Sequence, residues 1–269
     1  MNKPKAFGKQ VFQRIMEDDI FGRAAQLAYF FLLSLFPFLL FLLTLIGYFP
    51  IDEQSVIDLI ATYAPAQIGD LLHANIDLLV NQQNGGLLSI SIIGALWAAS
   101  NGVNALIRAF NKAYGVKEDR SFIVARLIAM VLTIAMVAII IIAFLLPIFG
   151  RMIGIYLFSL FGLSANFIAV WETLRWLISS IIFFIVFLAL YKLAPNAKVT
   201  FGKVIWGALF ATVFWQLVSL GFSYYVSTMG NYSATYGSLG AVIVLMIWFY
   251  ISGIIIMIGG AINATIKQT

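Results

Sequence analysis

The fold is decided by the stretch VIWGALFATVFWQLVSLGFSYYVSTMGNYSATYGSLGAVIVLMIWFYISGIIIMIGGAINATI at residues 204–266, which contains no Asp, Glu, Lys or Arg. A helix rises about 1.5 Å per residue, so about 20 apolar residues cross the hydrocarbon core of a bilayer. The stretch is long enough for two crossings, at about 204–227 and 238–264, with turn-rich polar residues between them. It therefore predicts an integral membrane protein.

The composition of the whole chain supports this prediction. Of its 269 residues, 62% are hydrophobic, 10% are charged and none is cysteine. Soluble domains are about 45–50% apolar and about 25% charged. The composition therefore excludes a water-soluble enzyme and a disordered chain. The lack of cysteine also excludes disulfides and cysteine-based metal sites.

Four further apolar runs bring the predicted number of crossings to six. They lie at about 27–49, 87–107, 127–149 and 171–193. All six runs are continuous, whereas the strands of a membrane barrel alternate apolar and polar residues over short segments. The sequence therefore predicts an all-α, six-helix membrane bundle over residues 23–265.

The orientation follows from the distribution of Lys and Arg. Five precede the first span, five lie between the second and third, three lie between the fourth and fifth, and one follows the last. Fourteen of the sixteen are then cytoplasmic if both termini are cytoplasmic. A seventh crossing at 152–170 would place four of these charges outside. We therefore prefer six spans, with 152–170 at the outer interface or re-entering the bundle.

Two segments are predicted to lie outside the bilayer. Residues 1–22 have the helical periodicity of an amphipathic helix on the cytoplasmic surface. Residues 50–86 form an acidic external loop with a short helical cap. His73 lies between Asp70 and Asp77 in this loop, but a surface histidine between acids is far commoner than a metal site. The sequence predicts no metal, cofactor or catalytic site.

The expected partners are membrane lipids. The isoelectric point near 9.4 would suit nucleic acid. Basic residues at the inner membrane face are better explained as topology signals and contacts to anionic lipid, so no nucleic-acid partner is predicted. Gly253 and Gly260 leave a homo-oligomer open as a further possibility.

Polar side chains recur along one face of the second and fifth spans. They either line a polar groove or hydrogen-bond between helices as packing contacts. Arg108 and Arg126 either reach the interface or hold an anionic head group. The candidate groove residues are Asn101, Asn104, Arg108, Arg126, Thr212, Gln216, Ser219, Ser223 and Asn263. In the first span, Ser34 and Pro37 mark a candidate hinge, because proline removes a helical hydrogen bond.

Three separated motifs resemble the YihY/BrkB family of bacterial inner-membrane proteins. They are AAQLAYFFLLSLFP at 24–37, WAASNGVNALIRAFNKAY at 97–114, and YGSLGA at 236–241 with Asn263. The resemblance implies a six-helix protein of the bacterial cytoplasmic membrane, and a lipid-export role has been suggested for some relatives. Many members carry an acidic residue where this chain has Ala261, which argues against proton coupling through that position.

The expected function is a transporter or flippase-like protein for an amphipathic, anionic, lipid-type substrate. The alternative is a non-transporting scaffold for envelope assembly. The family was formerly labelled ribonuclease BN. The sequence offers neither a metal cluster nor a His/Lys acid–base pair on the cytoplasmic side, so we do not expect an enzyme.

Overall fold

The structure, a computed structural model, describes residues 3–46, 48, 85–138, 165–229 and 239–268. These residues form helices and short connections, and no strand occurs among them. The helices are α1 (Lys3–Glu17), α2 (Ile20–Ile46), α3 (Gly85–Ala113), α4 (Phe122–Ala138), α5 (Ala165–Leu193), α6 (Phe201–Met229) and α7 (Leu239–Gln268).

Five segments of these helices are long and apolar enough to cross a membrane, which confirms the predicted all-α membrane bundle. They are Ile20–Phe41, Gly85–Ala113, Trp176–Leu193, Phe201–Val226 and Val242–Lys267. The sixth predicted crossing, 127–149, overlaps α4, whose described part covers 17 residues. Of the predicted external loop, 50–86, residues 50–84 lie outside the described residues, as do His73 and the acids around it, and Gly85 and Gly86 begin α3.

The helices extend beyond the spans read off the sequence, and α3, for example, ends at Ala113 and not at 107. α2 begins at Ile20, ahead of the predicted 27, because the residues around Arg23 belong to the same helix. α5 begins at Ala165, so the last residues of the 152–170 segment are continuous with the fourth span. The rest of that segment, 152–164, is outside the described part of the chain.

A sharp turn at two aspartates separates α1 from α2. Asp19 has a φ of 52°, in the left-handed region that ends a helix. A Cβ at Gly22 would collide with the Asp19 carboxylate, so the first turn of α2 closes tightly over this side chain. The N–H of Arg23 donates to the backbone oxygen of Asp19 at 3.0 Å. The acidic pair after α1 therefore sets the angle at which α1 leaves the bundle.

α7 lies at the centre of the bundle and contacts α1, α2, α3, α5 and α6. Glycines allow the closest approaches. A Cβ at Gly207 of α6 would meet the backbone oxygen of Gly259 and the side chain of Asn263 in α7. The N–H of Gly207 donates to Asn263 Oδ1 at 2.7 Å, and Asn263 is fully buried. α2 and α3 pack as an antiparallel pair, with Gly102 against Leu27.

The two glycines that suggested an oligomer face the inside of the bundle. Gly253 is packed against Ala24 and Leu27 of α2, and Gly260 is packed against Phe110 of α3. Both are buried. An oligomer would therefore have to use another surface.

We expect Gly207→Ala to destabilise the bundle by about 1–3 kcal/mol, because its methyl group meets backbone that cannot move aside. Gly221→Ala in the same helix is the matched control, since its added Cβ has open space. Thermal unfolding of both variants in one detergent measures the effect. Equal midpoints for the two variants would contradict this packing of α6 on α7.

Candidate functional site

A cluster of three residues at the middle of α3 brings a positive charge into the bundle. Arg126, in the second turn of α4, donates from Nη1 to Asn101 Oδ1 at 2.7 Å and from Nη2 to the backbone oxygen of Trp97 at 3.0 Å. Its guanidinium carbon lies 3.7 Å from the centroid of the Trp97 ring. We call Trp97, Asn101 and Arg126 the arginine site.

The arginine site joins the start of α4 to the middle of α3. Asn101 is twelve residues, about 18 Å along the helix axis, from the end of α3 at Ala113. Phe122 and Leu127 lie on either side of Arg126 in the sequence. Their apolar side chains are exposed on the outside of the bundle. The guanidinium therefore points toward the middle of α3 and not out to the membrane surface, as snorkelling would require.

Among the described residues, the groups that contact the Arg126 guanidinium are neutral. Within the described residues, the ion pairs are Lys112 with Asp18 and Arg120 with Glu118, and neither involves Arg126. Arg126 is 9% exposed, and its Nε is buried without a hydrogen-bond partner there. One donor of a buried guanidinium is thus left for a further acceptor.

The polar row on α3 continues from the arginine site toward the charged end of the bundle. Asn104 is half-buried, and Arg108, one turn further, is exposed. Arg23 of α2 lies close enough to Arg108 to repel it. One end of the bundle brings together α1, the α3–α4 connection, the α5–α6 connection and the end of α7. We call it the basic end. The polar row therefore runs from Asn101, in the arginine site, through Asn104 to Arg108. Arg108 and Arg23 are the two arginines near the basic end.

The candidate residues of α6 and α7 lie elsewhere, and two of them, Gln216 and Asn263, form contacts between helices. Gln216 accepts a hydrogen bond from Ser180 Oγ of α5 at 2.9 Å, and its Nε2 donates to the backbone oxygen of Thr212 at 3.1 Å. Asn263 joins α7 to Gly207, as described above. Thr212 bonds within its own helix. Ser219 is half-buried and Ser223 is exposed.

The structure therefore brings Asn101 and Arg126 together, but it gives the α3 and α6 rows different neighbours. α3 and α6 each pack on α7, and they do not pack extensively on each other. In α2, Ser34 Oγ donates to the backbone oxygen of Phe31 at 2.7 Å. The helix continues through Pro37 to Ile46, so the candidate hinge lies inside an unbroken element.

A second polar cluster lies at the basic end and was not predicted from the sequence. Buried Asn111 donates from Nδ2 to Glu118 Oε2 at 2.7 Å and accepts from the Asn196 N–H at 2.6 Å. Arg120 binds both Glu118 oxygens, at 2.5 and 2.6 Å, and donates to the backbone oxygen of Ala194 at 3.0 Å. This basic-end network joins the end of α3, the α3–α4 connection and the end of α5. It thereby fixes the position of the start of α4, and with it the position of Arg126.

The network shifts the protonation of its two charged members. The hydrogen bonds from Arg120 are the main cause that lowers the pKa of the Glu118 carboxyl, with a further contribution from Asn111. In turn, Glu118 raises the pKa of Arg120. Asn111 belongs to the α3 row, but no sequence pattern indicated that residues 118 and 196 would meet it.

No group of three metal-binding side chains occurs in the described residues. His73, Asp70 and Asp77 are outside them. The acceptors of the arginine site, Asn101 Oδ1 and the Trp97 backbone oxygen, are already bonded to Arg126, and the group left without a partner is a cationic donor, which suits an anion and not a metal ion.

We expect Glu118→Gln to reduce the acid sensitivity of the protein. Because folding lowers the Glu118 pKa, its contribution to stability is present above the ordinary carboxyl pKa and is lost as the pH falls through the lowered value. Unfolding midpoints measured from neutral pH down to about pH 3 should therefore fall less steeply for Glu118→Gln than for the parent. Glu17→Gln, at an exposed carboxylate of α1 outside the network, is the control. Identical pH profiles for parent and Glu118→Gln would contradict the network.

Comparison with known proteins identifies the relatives of this chain. A family model described as Virulence factor BrkB matches residues 11–269. The chain is 52% identical over 263 residues to the Putative ribonuclease-like protein YfkH of Bacillus subtilis (strain 168), covering 98% of this chain and 96% of the relative. It is 29% identical over 272 residues to the UPF0761 membrane protein VV0203 of Vibrio vulnificus (strain YJ016), covering 98% of this chain and 83% of the relative.

No solved structure matches this chain. The family match extends over almost the whole sequence, including α2, α3 and α7, which carry the three motifs that suggested the resemblance. It confirms that resemblance. With its long apolar helices, the chain belongs to the BrkB family of membrane proteins.

Proposed function

We propose that the protein is a transporter or flippase-like protein that moves an anionic, lipid-type amphiphile and holds its head group at the arginine site. The observation that carries the proposal is the Arg126 guanidinium at the middle of α3, with a buried Nε that has no partner among the described residues.

The energetic argument concerns a charge in a medium of low polarity. An intramembrane arginine is costly, by about 2.5–3.5 kcal/mol on insertion scales, and such residues mark ligand pathways or ion relays. A phosphate or carboxylate would supply both an opposite charge and an acceptor for Nε. A bound anion therefore compensates Arg126 better than the amide, carbonyl and indole that surround it.

The surroundings of the arginine site favour an amphiphile over a small soluble anion. Trp97 is half-exposed, at 50%, on a helix face that also exposes Ile93 and Ile90. Acyl chains can contact this apolar surface while a head group occupies the polar row. Asn104, Arg108 and Arg23 then offer further polar and cationic contacts between the arginine site and the basic end.

The proposal places the protein in the cytoplasmic membrane of a bacterium with the basic end and both termini in the cytoplasm. The excess of Lys and Arg at this end supports that orientation through the positive-inside rule. A head group entering from the inner leaflet would meet Arg23 and Arg108 first. We assign no catalytic step to the chain, and the ribonuclease-like name belongs to its relative.

A non-transporting scaffold is the second candidate, and specific contacts favour it. Gln216 and Asn263 are engaged in bonds between helices, as packing residues would be. In a scaffold the arginine site would do the same and hold α4 on α3. The two functions differ in whether the arginine site acts on lipid movement.

The test is lipid movement in vesicles that contain the purified protein and a fluorescent phosphatidylglycerol analogue. We expect Arg126→Gln to slow movement of this lipid at least about tenfold, because one charge-assisted contact is worth about 1.5–3 kcal/mol. Arg126→Lys should restore part of the rate, since it keeps the charge and loses the planar donors. Lys198→Gln removes an exposed charge at the basic end and is the matched control.

Lipid movement, and not stability, separates the two candidates. Both predict that Arg126→Gln loosens the contact between α4 and α3. The scaffold predicts that the parent protein moves the lipid no faster than protein-free vesicles do. Equal rates for the parent and a folded Arg126→Gln variant would contradict the transport proposal.

A further inference from the structure

A polar cavity lies at the basic end, outside the arginine site. Its volume is about 470 Å³, and it is a partly open cleft between α1, the end of α3 and α7. This size is within the range of about 300–1,000 Å³ typical of small-ligand sites. The side chains that determine its chemistry are Gln10, Gln13, Arg14, Glu17, Asp18 and Lys112.

Asp18 gives the cavity an unsatisfied acceptor. The residue is 9% exposed, and Oδ1 lies 3.7 Å from Lys112 Nζ. Oδ2 is buried and accepts no hydrogen bond from any residue the structure describes. A buried carboxylate oxygen without a donor is costly, so a ligand that brings a hydrogen-bond donor is favoured here.

The charges around the cavity balance. Arg14 and Lys112 are cations, and Glu17 and Asp18 are anions. Lys112 donates to the backbone oxygen of Glu17 at 2.6 Å and remains partly exposed, so its ammonium has protons for a further acceptor. A ligand with one net charge would unbalance this lining. A zwitterion, with an ammonium for Asp18 and an anionic group for Lys112, would not.

The position of the cavity points to the membrane as the source of the zwitterion. α1 exposes the apolar side chains of Phe12 and Met16, at 60% and 55%, next to cavity-lining Gln13 and Glu17. An amphipathic helix of this kind lies in the plane of the head groups. The cavity thus lies at the depth at which head groups are found.

We propose that this cavity binds the head group of an aminophospholipid, with the primary ammonium at Asp18 and the phosphate at Lys112. The lipid joins α1 to the ends of α3 and α7 as a bound component of the fold. This site differs from the arginine site in position and in charge preference, and it does not depend on the transport proposal.

The test compares phosphatidylethanolamine with phosphatidylcholine, whose trimethylammonium cannot donate to Asp18. Native mass spectrometry of the full-length protein in detergent would measure the binding of each lipid. We expect the parent to prefer phosphatidylethanolamine about tenfold, as for one hydrogen bond to a charged group. Asp18→Asn should abolish the preference. Asp119→Asn, the same change elsewhere at the basic end, should keep it.

A second variant covers the case in which Asp18→Asn fails to fold. Gln10 is exposed at the cavity, so Gln10→Trp should fold, fill the space and reduce binding of the preferred lipid at least about tenfold. No preference in the parent, or a preference that both variants keep, would overturn the proposal. Competition by soluble phosphoethanolamine at the same concentration as the lipid would contradict the inference that the bound head group belongs to a membrane lipid.

Discussion

The position of α4 on α3 depends on satisfying one positive charge, the guanidinium of Arg126. Arg126 belongs to α4, but its donors bind Asn101 and Trp97 of α3, so the charge ties the start of α4 to the middle of α3. The Trp97 ring adds a cation–π contact that persists away from water. Because these partners are neutral, the site holds Arg126 in place and still favours an anion.

Two other sets of contacts make this geometry possible. The basic-end network around Asn111 and Glu118 fixes the short α3–α4 connection, and with it the point at which α4 begins. Close packing of Gly207 on Gly259 lets α7 occupy the centre of the bundle, where it separates α3 from α6. Among the described residues, the arginine site retains one donor without a partner, Arg126 Nε.

The sequence was sufficient for the class of fold but not for the site. Long apolar runs report directly whether a segment can cross a bilayer, and three motifs indicated the family. Asn101 and Arg126 were both candidates. Their bond was not foreseen, because a position near the start of a span suggested that the arginine would reach for the membrane surface. Gln216 and Asn263 had the same periodicity, and the structure uses them to join helices. Periodicity identifies the face of a helix but not which neighbour it meets.

The central claim is that Arg126 binds an anion from the membrane. The most direct measurement is a density map of the protein in nanodiscs that contain phosphatidylglycerol. The account predicts a head-group phosphate within about 3 Å of Arg126 Nε, with its acyl chains along the exposed face of α3. A carboxylate of the protein itself bound to Nε, with no lipid there, would contradict it.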